Sequence, residues 1–469
     1  MKEKHVPSAW LEKDGRRLDC GPYLSGAIEA RLLLERIPAT KRRLRCLTLG
    51  GMAGIFHAGR HGRTFVTSAE HGVPFLSSSD VLLADFSFVD LMSRRQAKDT
   101  PEFQLGPRWT LITRSGTIGR MVYSRSDMNG IACSEHVLRV VPDAALVKPG
   151  YLFAYLSSRF GVPLVVGGTY GSIIQSIEPQ HVAGLPVPIA PDEIQDEAHR
   201  LVEEAAELRS TSATDLQSVI QEIEQAAGLP PLPRQYQGAS PDTSIVKAQG
   251  LISRMDGLFH SSFHRSALDP LLRLPAERRT IVAKLAKRVF EPARFKRIPV
   301  DDLQYGVPFF GTSAIMRVDP EAEQLIAKRT TGIEELVVTP TTILVPRSGQ
   351  LQGIIGHAVL PHGDILSGAV TEDAIRVVAP NEEIAGYLFA CLSSEYGRRQ
   401  LKARAFGSSI PHLDVRMIGG AVVPRLDDTL VRALGARAFR IAEARSQAVR
   451  KERDARSLVE RWIVEQGAA

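Results

Sequence analysis

Tyr151-Leu152-Phe153-Ala154-Tyr155-Leu156-Ser157-Ser158 returns 236 positions later as Tyr387-Leu388-Phe389-Ala390-Cys391-Leu392-Ser393-Ser394, with seven of eight residues unchanged. A repeat at half the chain length sets the architecture before any single element does. The match extends both ways. Arg17-Leu18-Asp19 pairs with Arg254-Met255-Asp256, and Gly72-Val73-Pro74-Phe75 with Gly306-Val307-Pro308-Phe309. Arg114-Ser115-Gly116 pairs with Arg347-Ser348-Gly349, Gly171-Ser172 with Gly407-Ser408, and Pro188 with Pro424. A period this long makes a tandem duplication, not a solenoid. The bland alternative is an old duplication kept for stability alone.

After each repeat the pattern turns helical. Ile194, Ala198, Leu201, Ala205 and Leu208 are spaced 4, 3, 4, 3, the seam of a coiled coil. Ser210 to Thr214 interrupts it, and Leu216, Val219, Ile223 and Ala226 resume it before Gly228 and Pro230-Pro231 stop it. Near the C-terminus Val431, Leu434, Ala438, Ile441, Ala448, Ala455, Val459 and Trp462 share one seam, with Arg445 and Glu452 at its two polar positions. The expected fold class is therefore α+β: two mixed α/β units alternating with two long helices, which pair as an antiparallel coiled coil about a pseudo-two-fold axis. The expected boundaries are 1–188 for the first unit, 189–228 for its helix and 229–252 for a linker rich in Pro, Gly, Ser and Gln. The second unit takes 253–424 and its helix 425–469. The partner-helix seam would be Leu201, Leu208, Leu434, Ile441 and Trp462; the rival arrangement packs each helix on its own unit.

Shorter segments follow from local pattern. Ala27 to Arg36 reads as a helix, as does Pro149 to Ser158. Val81 to Ala84, Trp109 to Thr113, Val137 to Val141, Thr342 to Pro346, Gly353 to Val359 and Ala374 to Val378 read as strands. Residues 165–188 read as a glycine-rich turn and two strands, with Pro186 and Pro188 marking an extended exit segment.

Charge is uneven. Residues 1–188 carry 23 Lys and Arg against 16 Asp and Glu, and 235–426 carry 23 against 19, whereas 189–228 carry 2 against 10. Basic globular units point to a polyanion, and solvated surface is the competing explanation. The run Lys41-Arg42-Arg43-Leu44-Arg45 is a loop that either touches phosphates or is merely solvated. No apolar run nears the roughly 18 residues of a membrane span, and Met1-Lys2-Glu3-Lys4-His5 opens no signal sequence. Cys20, Cys46, Cys133 and Cys391 have no paired or ligand spacing, which excludes a zinc module and suits a reducing cytoplasm.

Catalytic signatures are missing: no phosphate-binding loop, no HExxH, and no Asn/Asp-Pro-Pro-aromatic sequence. Cys133-Ser134-Glu135-His136 holds nucleophile and base types, but neighbours in sequence seldom form a triad. What recurs is different. An arginine on a glycine turn at a strand end suits a phosphate or the O6 and N7 of guanine, and an intradomain salt bridge is the alternative. A second recurring loop joins an aromatic to a small hydroxyl. The candidate DNA contacts are Arg114, Ser115, Thr117, Arg120, Thr169, Tyr170 and Ser172 in the first unit. In the second they are Arg347, Gln350, Lys402, Arg404 and Ser408. No metal or cofactor site is expected.

In this order, twice, the Arg-x-Asp opening, Arg-Ser-Gly turn, Tyr-Leu-Phe helix, Gly-Ser loop and proline-ended strand resemble the specificity (S) subunits of type I restriction–modification enzymes. The resemblance spans roughly 15–465. It implies two target-recognition domains, each reading one half of an asymmetric bipartite site in double-stranded DNA. It further implies spacer helices that dock DNA methyltransferase subunits, two of them, carrying S-adenosylmethionine and methylating adenine at N6. A restriction motor–nuclease, or a related defence system, would be a further partner, and this chain would be non-catalytic. The sequence departs from that pattern at 210–214, at Gln350-Leu351-Gln352 and in residues 1–16. The rival from another class is a protein-interaction adaptor, two binding heads on a helical strut.

Overall fold

A computed structural model describes residues 3–13, 20–169, 176–232, 241–252 and 254–468. Arg17, Asp19, Tyr170, Gly171, Ser172, Ser253 and residues 233–240 of the expected linker lie outside the described residues. The chain separates into two compact units. One comprises Met1–Val66, Glu70–Ser210 and Ala448–Ala469; the other comprises Thr67–Ala69 and Thr211–Gln447.

The first unit holds three small sheets. Phe65–Val66, Leu91–Ser93, Gly72–Leu76 and Ala132–Cys133 form one in that order, and its last pair is parallel, with Phe75 opposite Ala132. Ile55–Phe56, Val137–Val140, Thr110–Thr113 and Met121–Tyr123 form an antiparallel second sheet. Lys41–Arg43 pairs with Pro186–Pro188 as a two-stranded ribbon. The first three residues of the basic run are thus a strand and Leu44 and Arg45 a 3-10 turn, which corrects the loop expected there. Prolines supply no N–H, so the ribbon's outer strand is where Pro186 and Pro188 are tolerated.

The second unit repeats the order, except that its second sheet has three strands where the first unit has four. Pro299–Val300, Gln324–Ala327, Gly306–Phe310 and Ala369–Val370 form one sheet, again with a parallel last pair. Arg288–Phe290, Ala374–Val378 and Thr342–Pro346 form the next, and Arg279–Ile281 pairs with Val422–Pro424. Gly353 to Val359, expected as a strand, contributes only the bridge of Val359 to Leu344. Val81 to Ala84 is not a strand either. Ser77 Oγ accepts from the Asp80 amide and the Asp80 carboxylate from the Ser77 amide, which winds Asp80–Leu82 into a short 3-10 turn. Between 165 and 185 the described residues hold the end of helix Gly161–Val166 and helix Pro179–Ala183, and residues 170–175 of the first expected strand lie outside the described residues.

The repeated octapeptide is the core helix of each unit. Pro149–Leu156 starts on a proline, which costs nothing where the first-turn N–H groups lack partners. Glu382–Ser393 starts instead on Asn381, whose side chain caps the Ile384 amide at 2.9 Å, with two glutamates in the first turn. Pro149–Leu156 is buried all round and Glu382–Ser393 is so from Ala385 onward, the mark of a core element. Each apolar side chain so buried contributes about 1.5–3 kcal/mol. Tyr151 donates its hydroxyl to the Pro188 carbonyl at 2.6 Å and Tyr387 to the Pro424 carbonyl at 3.0 Å. Repeated tyrosines therefore tie each core helix to the strand that leads into the long helix.

The long helices run Asp192–Ala227 and Asp428–Ala468, 36 and 41 residues, about 54 and 62 Å at 1.5 Å per residue. Ser210 to Thr214 does not break the first, and Ser212 is buried within it. It ends at Gly228, whose φ of 72° lets the Leu229 amide reach back to the Glu224 carbonyl at 2.9 Å. Each core helix crosses the helix that follows it through glycine. In the first unit Gly150 lies against His199 and Val202; in the second, Gly386 and Gly435 press backbone to backbone.

Candidate nucleic-acid interface

In the second unit the two recurring loops form one surface. Thr342–Pro346 delivers Arg347-Ser348-Gly349 at its end. Phe406 and His412 exchange both main-chain hydrogen bonds, at 2.9 and 2.7 Å, and close a hairpin over Gly407–Pro411. The Leu413 amide bonds the Arg347 carbonyl at 2.8 Å and the Gly349 amide bonds the Pro411 carbonyl at 3.2 Å, so the hairpin is stitched to the turn. Gln350 adds an amide bond to the Ser409 carbonyl at 3.3 Å. Phe406 to Ile410 are all exposed, and so is Gln350. Gly407 takes φ 101°, a value that favours glycine.

The first unit builds the same base. Ser115 bridges Ser176 as Ser348 bridges His412, and the Ile177 amide bonds the Arg114 carbonyl at 3.0 Å. Thr117 is half-buried beside exposed Gly116. The Arg120 carbonyl accepts from the Thr113 amide and the Arg120 amide donates to the Thr113 hydroxyl, and Thr169 ends its helix turn on the Val166 carbonyl. Tyr170 and Ser172 fall outside the described residues.

Four of the expected arginine and lysine contacts are engaged within the protein. Arg114 is buried: its Nε donates to the Ile177 carbonyl at 3.0 Å and a terminal nitrogen to Glu178 at 2.8 Å. Arg347 pairs with Glu291. Lys402 turns to the Gly353 carbonyl at 3.3 Å and Arg404 to the Met417 carbonyl at 2.9 Å. Burial pulls Arg404 down to about 10. In each case desolvated carbonyls or a carboxylate take the donors. The exposed chemistry is hydroxyl, amide, main chain and the apolar Phe406 and Ile410 instead.

Two histidines belong to this surface and were not singled out for it. Ser115 Oγ bonds His136 Nδ1 at 2.6 Å, and Ser348 Oγ bonds His412 Nδ1 at 2.8 Å. Cys133, three residues from His136, is fully buried and its thiol is pushed up to about 11 by desolvation, which makes it inert at neutral pH.

Two buried arginines also went unread. Arg139 donates to the carbonyls of Ser134, Val137, Phe103 and Cys133. Arg376 donates to those of Thr371, Ala374, Leu336 and Val370. Each guanidinium staples its strand to the neighbouring parallel pair. Burial lowers both pKa values, that of Arg376 to about 10.

The expected helix seam is partly displaced. Leu434, Ile441 and Trp462 are buried. Leu201 and Leu208 are half-buried, while Val202 and Arg209 beside them are buried. A straight helix turns at 3.6 residues, not 3.5, so its buried line drifts off a strict heptad. In the first unit Arg209 pairs with Glu452 and Glu204 with Lys451; in the second Glu222 pairs with Arg437.

Among the described residues no group of three or more His, Cys, Asp or Glu could hold a metal ion, and no helix is long and apolar enough to cross a membrane. The basic strand Lys41–Arg43 lines a groove of the first unit with Arg31, Glu35 and His181.

No family model and no curated protein matches the chain. It is similar to solved structures of type I restriction–modification proteins. An S subunit from M. genitalium is 13% identical, covering 92% of this chain and 96% of that one at a TM-score of 0.33. The HsdS subunit from Thermoanaerobacter tengcongensis is 12% identical, with 92% and 96% coverage and a TM-score of 0.27. A chain from a structure concerned with assembly and conformational transition of a type I system is 11% identical, with 92% and 97% coverage and a TM-score of 0.26.

Proposed function

We propose that this chain is the non-catalytic specificity subunit of a DNA-modifying complex: a tandem duplication in which two recognition domains, 1–188 and 253–424, each read half of an asymmetric bipartite site. The observation that carries this reading is the exposed hairpin 406–412, braced on the Arg-Ser-Gly turn, together with the same bracing at Arg114–Ser115 and Ser176–Ile177. An irregular loop on a rigid sheet is the element from which binding specificity is built. Gln350 and Ser408 in the second unit, and Thr117 in the first, are the polar contacts of this reading. The main chain and long-range basic charge supply phosphate binding. The half-sites lie about one helical turn apart, roughly 34–36 Å.

The long helices form an antiparallel coiled coil between the recognition domains, about a pseudo-two-fold axis. Ion pairs between the two helices within each unit support the pairing: Arg209–Glu452 and Glu204–Lys451 in the first, Glu222–Arg437 in the second. Methyltransferase subunits, two of them, dock there and bring S-adenosylmethionine for N6-adenine methylation in the cytoplasm. A restriction motor–nuclease is a further partner.

The test is a genome-wide map of N6-methyladenine with and without this chain, its partners held constant. Loss of a bipartite motif on deletion supports the reading. A palindromic motif contradicts the two-domain assignment, and an unchanged map favours the adaptor.

A further inference from the structure

The Arg-x-Asp opening of the second unit is a recurring motif for which DNA reading has no direct use. Arg254 is largely buried, its side chain 14% exposed. Its Nε donates to Asp256 Oδ2 at 2.6 Å, and the other Asp256 oxygen accepts from the Phe259 amide at 3.0 Å. The guanidinium lies over the Phe259 ring, 5.1 Å from its centroid. His260 donates from Nε2 to the Arg254 carbonyl at 2.6 Å. Ion pair, ring and backbone bonds therefore fix the guanidinium before it meets anything else.

What it meets is the root of the hairpin. One terminal nitrogen donates to the Arg404 carbonyl and the other to the Ala405 carbonyl, the latter at 3.1 Å. These carbonyls end the helix Glu395–Arg404, where main-chain acceptors lack helical partners and the dipole is negative. The next residue, Phe406, opens the hairpin. Its far side is held by the bonds of Gly349 and Leu413 to the turn. Arg254 is thus the clamp on the one leg of the hairpin that leaves a helix end.

We propose that Arg254 is a positioning residue: with Asp256 it latches the helix end at Arg404–Ala405 and so fixes the direction in which the 406–412 hairpin meets its half-site. The proposal rests on the DNA-reading function and names what sets the discrimination of the second domain. Hydrogen bonds from a charged donor stabilise by more than neutral ones, so losing two of them opens the local segment ten- to hundredfold more often, as an order of magnitude.

The test uses the full chain with its partners, as Arg254→Ala, Arg254→Lys and Asp256→Asn. Amide hydrogen exchange is read over 405–413 and over the core helix 382–393, alongside the methylation map. The latch predicts exchange about tenfold or more faster at 405–413 in Arg254→Ala, unchanged at 382–393, and a motif that turns degenerate in one half-site only. Arg254→Lys, which keeps charge but not the fork, falls between wild type and alanine. Unchanged exchange at 405–413, or degeneracy of both half-sites together, overturns the proposal. A map that ignores deletion of the whole chain overturns the DNA-reading function itself.

Discussion

Glu452→Ala tests the internal wiring of the long helices most sharply. Glu452 occupies a seam position that heptad logic reserves for an apolar residue, between Ala448 and Ala455, both fully buried. Its side chain is 6% exposed, and that of Arg209, its partner, 4%. The contact is bidentate, with the second oxygen 3.0 Å from the guanidinium, while Arg209 Nε finds no acceptor among the described residues. Alanine strands the guanidinium away from water, and breaking one side of a buried pair costs about 3–5 kcal/mol. For a unit of about 230 residues each kcal/mol moves the midpoint by about 2–4 °C, so the first unit should melt roughly 6–20 °C lower. The assay is thermal unfolding by far-ultraviolet circular dichroism of Glu452→Ala, Arg209→Met and the double variant Arg209→Met/Glu452→Leu. The double variant removes both desolvation penalties and should equal or exceed wild type. Glu204–Lys451, whose side chains are 38% and 32% exposed, is the control and should be worth less than about 1 kcal/mol. A Glu452→Ala variant within about 1 kcal/mol of wild type, or a double variant as unstable as the single, refutes the reasoning.

Other outcomes follow from the same packing. Gly435→Ala places a methyl group against the Glu383 carbonyl, so the second unit should lose at least about 3 kcal/mol or fail to fold, read from soluble yield and thermal midpoint. Arg376→Lys replaces a fork that meets four carbonyls with an ammonium that has three donors, and its urea midpoint should fall by the equivalent of about 2 kcal/mol or more. His264, pulled from 6.5 to about 4 by burial, stays neutral in the folded unit while the unfolded chain takes up a proton. Its stability term is complete above pH 6.5 and lost as pH falls toward 4. Glu224 runs the other way: burial, then the charge of Glu395, raises it from 4.5 to about 7, so its term is complete below 4.5 and lost as pH rises through 7. Glu224→Gln should therefore raise the urea midpoint of the second unit at pH 8 and leave it unchanged near pH 4.5.

The element types were legible where the sequence repeats. The Gly-Val-Pro-Phe strands stand third in the matching four-stranded sheets, the proline-ended strands pair in matching ribbons and the octapeptides form helices in both units, and helix boundaries followed caps that local chemistry dictates. The destinations of long charged side chains were not legible. Arg114 and Arg139 both sit on or beside apolar strands, one expected to face a ligand and one unremarked, and both are buried. Their acceptors come from elsewhere: Ile177 and Glu178 for Arg114, Phe103 for Arg139. A signal for Arg139 did exist. Val137 to Val140 is buried on both faces, and a strand without alternation has no wet side for its arginine.

The turn serine shows how the repeat constrains atoms rather than letters. Ser115 and Ser348 occupy matching positions, each at the end of a buried strand, and each hydroxyl needs a partner there. In the second unit the residue bridging the turn across the hairpin is His412, and its own ring supplies Nδ1. In the first the bridging residue is Ser176, which has no ring to offer, and the imidazole comes instead from His136. An alignment of the halves places His412 against Ser176 and finds no match. The geometry nevertheless demands the same thing twice: a nitrogen 2.6–2.8 Å from the turn hydroxyl. Sequence comparison sees residues at fixed offsets, whereas the fold needs only an acceptor or donor that reaches. That is why the brace beneath both loops was invisible in the chain and plain in the structure.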